Sequence, residues 1–135
     1  MSTQIFLNVA VKDLNRSVEF FTRLGFRFDQ NYTDENATCM IVGDNIFVML
    51  LVEKFFKTFT RKQICNTSTS LEAMTAISAG SRAQVDEIVD KALEAGATST
   101  GAPQDHGWMY GRGFEDLDGH HWDFVFMEPG GSGNV

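Results

Sequence analysis

Ile5-Phe6-Leu7-Asn8-Val9-Ala10-Val11 is a strand-like run that leads into an amphipathic segment, Asp13 to Leu24, halted at Gly25. The same phrase returns at Met74-Thr75-Ala76-Ile77-Ser78-Ala79, which leads into Ser81 to Ala95 and halts at Gly96. Strand-like segments follow in both halves. A duplication of this kind builds two small modules of one design, and the groove between them is where function is expected.

The helices are read from spacing and from their ends. Leu14, Val18, Phe21 and Leu24 recur at the interval of one helix face, Asp13 can cap the start, and Gly25 supplies the left-handed stop. In the second half Ser81 and Gln84 match a capping box, while Val85, Ile88, Val89 and Ala92 form the apolar stripe. Phe26 to Tyr32, Thr38 to Val42 and Asn45 to Val52 are expected strands, with Gly43-Asp44 as a tight turn, which makes βαβββ. Thr98 to Ala102, Trp108 to Glu115 and His121 to Met127 repeat that order, with Asp116-Leu117-Asp118-Gly119 as the final turn. In the last strand Trp122, Phe124 and Phe126 alternate with His121, Asp123 and Val125, so an aromatic face meets the helices and the other face carries polar groups. Between the modules, Phe55 to Cys65 is expected to form a short helix and Asn66-Thr67-Ser68-Thr69-Ser70 a turn.

With 135 residues, 43% of them hydrophobic, the chain suits a single α+β domain over 1–128, with modules at about 3–52 and 73–127 and a linker at 53–72. The glycine-rich 129–135 reads as a flexible end. A net charge of −7 argues against nucleic acid or an anionic membrane as partner, because either would repel an acidic surface. No apolar run approaches the roughly 20 residues of a spanning helix, and no basic-then-apolar leader is evident. A cytoplasmic location is expected, with Cys39 and Cys65 as reduced thiols.

Three segments carry a family resemblance: Val11 to Phe21 with Leu24-Gly25-Phe26, the stretch Val85 to Gly96, and Gly113-Phe114-Glu115-Asp116-Leu117-Asp118-Gly119-His120. On these, Ile5 to Glu128 resembles the vicinal-oxygen-chelate superfamily of glyoxalase I, extradiol dioxygenases and bleomycin-resistance proteins. Leu117 stands where that family's turn usually has proline. Gln104 to Arg112 and Asp118 to Trp122 are similar to a bacterial subgroup labelled predicted lactoylglutathione lyase, a label inherited by similarity. The resemblance implies a cupped, mostly antiparallel sheet with helices on its outer face, and a homodimer.

The family's enzymes hold a divalent metal at four inward positions, which the resemblance places at Phe6, Met49, Met74 and Asp123. Only Asp123 offers a suitable donor, since a phenyl ring or a thioether is a poor ligand for Ni, Zn, Fe or Mn. A two-residue slip of register substitutes Asn8 and Ala76 and makes no stronger site. The usual metal is therefore not expected, and no other cofactor is implied.

By strand parity Phe6, Asn8, Phe47, Met49, Leu51, Met74, His121, Asp123 and Val125 share one face, either as plain core or as the wall of a ligand site. Asp123 must reach solvent, a ligand, or a partner such as Arg112 or His121. His106, Tyr110 and Arg112 lie close enough in sequence to set an acid–base group and a guanidinium at a cleft rim, or to be an exposed loop and a structural ion pair. His120 and His121 point to opposite sides of a strand. Two functions are carried forward. One is metal-free binding of a small organic molecule, with Trp108, Tyr110 and Trp122 as stacking surfaces. The other is a lyase or isomerase on a small carbonyl or thiol-conjugated substrate, with His121, Asp123 or His106 as acid–base groups.

Overall fold

The computed structural model describes residues 3–130. Of the expected flexible end, 131–135 lies outside the described residues. The chain divides into two compact units, Met1–Cys65 and Asn66–Val135.

The first unit runs β1 (Ile5–Val11), α1 (Leu14–Arg23), β2 (Arg27–Asp29), β3 (Ala37–Gly43), β4 (Ile46–Val52) and α2 (Glu53–Phe56). Its sheet has the order β1-β4-β3-β2, with β1 parallel to β4 and the other pairs antiparallel. Asp13 caps α1 by accepting from the Arg16 amide at 3.2 Å, and Gly25 follows the last turn at φ 104°. The buried stripe is Ser17, Phe20, Phe21 and Leu24. Leu14 and Val18 are only half-buried, so the helix sits rotated from the stripe expected around Val18. Val48 and Leu50 on β4, with Met40 on β3 and Val11 on β1, complete this core. Each such fully buried aliphatic side chain contributes about 1.5–3 kcal/mol.

The second unit runs β5 (Met74–Ser78), α3 (Arg82–Glu94), β6 (Thr98–Ser99), β7 (Gln104–Asp105), β8 (Met109–Glu115) and β9 (His121–Met127). Here β5 is parallel to β9, while β8 pairs antiparallel with β9, β6 and β7. Ser81 accepts from the Gln84 amide at 3.0 Å, and Gln84 reaches back to the Gly80 amide at 2.5 Å, one residue before the position a regular capping box uses. Val85, Val89 and Ala92 of α3 pack with Phe114 of β8 and with Trp122 and Phe124 of the last strand's aromatic face, and Phe114 and Phe124 stack at 5.9 Å. Both halves are thus mixed sheets with helices, an α+β fold.

Where the structure departs from the expected elements, local chemistry gives the reason. The strand expected at Phe26 to Tyr32 stops at Asp29, whose carboxylate accepts from the Asn31 amide and starts a 3₁₀ turn at Gln30–Tyr32. The helix expected at Phe55 to Cys65 is instead α2 followed by a 3₁₀ turn at Lys57–Phe59. The strand expected at Thr98 to Ala102 ends at Ser99 as β6, with Gly101 turning to φ 132°, and a separate strand not expected from the sequence, β7, begins at Gln104 after Pro103, which has no N–H to give the ladder. The first hairpin turns at Asp44-Asn45, one residue later than expected, with a register shift between Ile41 and Gly43.

The second hairpin is organised by one buried carboxylate. Asp116 accepts from the Asp118 amide (2.9 Å), the His120 amide (3.0 Å) and the Trp122 indole N–H (2.8 Å). Burial nonetheless pushes its carboxyl above the ordinary range, with the charge of His120 pulling the other way. Asp116→Ala would strand a buried indole donor and two turn amides. It is expected to cost about 2–4 kcal/mol, read as a lowered denaturation midpoint, and Asp116→Asn less.

Candidate functional site

The parallel pairing of β5 on β9 sets Met74 beside His121, Ala76 beside Asp123 and Ser78 beside Val125. The antiparallel pairing of β8 on β9 then sets Gly113 opposite Asp123 and Gly111 opposite Val125. Alternation sends Tyr110, Arg112 and Phe114 to the helix side, so the other side of β8 has a floor of two glycines. The result is a pocket of about 350 Å³. Met74, Ala76, Ala102, Met109 and Val125 supply apolar wall, and Thr100, Gln104, His121 and Asp123 supply polar groups.

Gly113 makes the pocket's central contact. A Cβ there would collide with the Asp123 carboxylate and stand 2.9 Å from the Thr100 hydroxyl. The carboxylate therefore lies across the β8 backbone, one-third exposed, with Oδ1 3.0 Å from His121 Nε2. A carboxylate only accepts, so Nε2 carries the proton, and a neutral ring keeps its lone pair on Nδ1. Neither Asp123 Oδ2 nor His121 Nδ1 has a hydrogen-bond partner among the described residues. The pair can accept hydrogen bonds from a ligand or take up a proton.

The other expected rim residues are engaged elsewhere. The Tyr110 hydroxyl donates to Asp86 Oδ1 at 2.6 Å, and the Arg112 guanidinium reaches both Asp86 and Asp90 on α3 at 3.0 Å. The Tyr110 hydrogen bond, and then Arg112, hold the Asp86 carboxyl below its usual range. Arg112 also borders the pocket, but its guanidinium is committed to a structural ion pair on the helix side. Arg82 grips Asp105 with two bonds, 2.8 and 3.1 Å, donates to the Gly107 carbonyl, and lies 5.0 Å over the Tyr110 ring. This clamps β7, whose Gln104 forms a wall of the pocket. His106 and Trp108 lie in the exposed loop beyond β7 and line neither this pocket nor the one in the first unit. Trp122 is core rather than a stacking surface.

In the first unit Phe6, Asn8 and Leu51, with Phe56 and Phe59 of the following helical turns, line a pocket of about 520 Å³. Phe6 stacks on Phe47 at 5.0 Å, and Met49 lies in register with Asn8 on the same face. Cys39, opposite Met49, is buried, which pushes its thiol up and away from the nucleophilic thiolate.

The four metal positions implied by the resemblance carry one hard donor, Asp123. Asn8 at the slipped position spends its amide on the Phe6 carbonyl, and Ala76 has no donor. Among the described residues no three His, Cys, Asp or Glu side chains are grouped to hold an ion. His120, adjacent to His121, turns the opposite way onto Glu72 at 2.7 Å. This donor set does not fit the family's divalent cation.

Comparison places the chain by family. Residues 4–124 match the model of the Glyoxalase/Bleomycin resistance protein/Dioxygenase superfamily, and the chain belongs to it. No curated protein matches the chain. Among solved structures it is similar to the hypothetical protein SA1046 from S. aureus, 28% identical over 93% of this chain and 95% of that one, at a TM-score of 0.80. A glyoxalase/bleomycin resistance protein/dioxygenase family enzyme from Burkholderia phytofirmans PsJN shares the fold at 14% identity, covering 93% and 99%, with a TM-score of 0.76. The fosfomycin resistance protein FosX from Mesorhizobium loti does so at 14% identity, covering 93% and 92%, with a TM-score of 0.67.

The pocket residues that sequence reasoning missed are Thr100, Ala102, Gln104, Met109 and the two glycines. The alternation Gly111-Arg112-Gly113 was the available signal, since it empties one face of a strand. Gly113→Ala is expected to displace Asp123 and break its bond to His121, visible as a shift of the His121 ring resonances. A Cβ at Gly111 stands 3.1 Å from a Val125 methyl and 3.6 Å from both the Met109 sulfur and the Phe124 carbonyl, away from Asp123, so Gly111→Ala should leave them in place.

The Arg82 hydrogen bond, with the Gly107 amide, lowers the Asp105 carboxyl to about 2. A depressed carboxyl stabilises above its ordinary value of about 4. The clamp is therefore expected to hold at neutral pH and to loosen as pH falls through about 2, with the Gly107 amide resonance as reporter.

Proposed function

We propose that this superfamily member binds a small organic molecule on the sheet face of its second unit, without the divalent metal of the family's enzymes. The supporting observation is the glycine-floored pocket, where apolar side chains surround one hydrogen-bonded His121–Asp123 pair. A wall of this composition holds the body of an organic molecule by burial and orients it through few polar points. Met74, 65% exposed, and Met109 make that wall adaptable. The aromatic pocket of the first unit, with Phe6, Asn8 and the Phe47 and Met49 behind it, extends the same reading to a second apolar surface. The resistance protein among the structural neighbours supports the fold's fitness for small molecules.

The second reading is a lactoylglutathione-lyase-like enzyme in which His121 and Asp123 move protons on a carbonyl or thiol-conjugated substrate. Their 3.0 Å hydrogen bond favours it. Against it, among the described residues the pocket's cationic lining residue is Arg112, whose guanidinium is held by Asp86 and Asp90 rather than offered to the carboxylates of a glutathione conjugate. A homodimer in the cytoplasm completes the proposal. Exposed apolar side chains such as Ile5, Ile46 and Phe59 suit burial against a second copy, and Cys39 and Cys65, which form no disulfide, suit a reducing compartment.

Two measurements test this. Metal analysis of protein grown with added Ni, Zn and Fe is expected to give far less than one ion per chain. A stoichiometric ion lost in Asp123→Ala would instead establish a metal-dependent enzyme. Titration of labelled protein with small aromatic and aliphatic fragments is expected to move the amide resonances of Gly111, Gly113, Asp123 and Val125. Movement confined to other residues would refute the site.

A further inference from the structure

We infer that the second unit's pocket selects a protonated amine carried on an apolar body, and discriminates against carboxylates and phosphates. This rests on the reading of that pocket as a ligand site, and adds the chemical class it takes. The hydrogen-bonding capacity left over in the pocket is mainly accepting. Asp123 Oδ2 and His121 Nδ1 have no partner among the described residues and can only accept, while the Thr100 hydroxyl and Gln104 amide can accept or donate. A primary ammonium brings three donors and no acceptor, which matches that surplus; a carboxylate brings only acceptors.

Charge points the same way. Among the described strand residues, those with ionisable side chains on this face of the sheet are Asp123, His121 and Glu115, the last in register with His121 on β8. The nearest fixed cation by sequence, Arg112, alternates onto the opposite face and is neutralised there by Asp86 and Asp90. Arg82, the cation that braces the β7 wall, is likewise occupied by Asp105. The chain's net charge of −7 adds a field that draws cations and repels anions. The Asp123 carboxylate is one-third exposed and lies across Gly113, so an ammonium can reach it without displacing a side chain from β8. Met74, Ala76, Met109 and Val125 are left to bury the carbon skeleton.

The test compares three probes with one six-carbon tail, n-hexylamine, 1-hexanol and hexanoate, titrated into labelled protein at about pH 8, where an alkylamine stays protonated. Hexylamine is expected to bind about tenfold more tightly than hexanol, the size of one charge-assisted hydrogen bond, and hexanoate more weakly than either. In Asp123→Asn the amine's advantage should vanish while hexanol binding persists. Equal or tighter binding of hexanol or hexanoate, or an amine advantage that survives Asp123→Asn, overturns the amine preference and leaves the pocket standing. Failure of all three probes to perturb Gly111, Gly113 and Val125 overturns the pocket itself.

Discussion

In each unit the first strand lies parallel to the last, β1 on β4 and β5 on β9. Parallel neighbours cannot be joined by a tight turn, so the chain must cross over through a helix and further strands before it returns. That crossover covers one face of the sheet with α1 or α3, and it also brings residues distant in sequence to neighbouring places on the opposite face. Phe6 meets Phe47 across 41 positions of sequence in this way, and Ala76 meets Asp123. Without the parallel pairing neither pocket would have two walls.

The second constraint is the division of labour along β8. Its side chains alternate between a crowded helix face, where Arg112, Tyr110 and two aspartates of α3 form a closed set of ion pairs and hydrogen bonds, and a face emptied by glycine. The two halves of this pattern depend on each other. The emptied face admits Asp123, and the crowded face removes the cation that would otherwise neutralise it. A carboxylate one-third exposed and held by a single histidine, over apolar walls, is the chemistry that remains. It is a poor cradle for a divalent ion, which needs several converging hard donors, and a suitable one for an organic molecule with something to donate.

Much of this was legible in the sequence because the signals were local. Asp13 and Ser81 before apolar stripes, Gly25 and Gly96 after them, and the alternating Trp122, Phe124 and Phe126 each act through neighbours a few residues away. Elements whose ends depend on other strands were less legible. The edge strand expected at Thr98 to Ala102 stops at Ser99, and Gln104 reaches the pocket through a further short strand that only its pairing with β8 defines. Arg112 had the right chemistry for a cleft rim. Its pairing in register with the buried Phe124 sends it to α3 instead, since strand parity separates two faces but does not say which of them the helix will cover.

What the amino-acid order determined alone was the repeated βαβ frame, the glyoxalase-like family, and the placement of His121, Asp123 and Met74 on one face, because helix caps and strand alternation are set by chain geometry. Tertiary structure decided which of those residues remain available. Arg112 and Tyr110 were consumed by α3, Trp122 by the Asp116 turn, and Asp123 was left beside Gly113 with one oxygen unengaged. Partners for charged and polar side chains are chosen by three-dimensional proximity, which strand order and helix packing create and which sequence spacing does not encode.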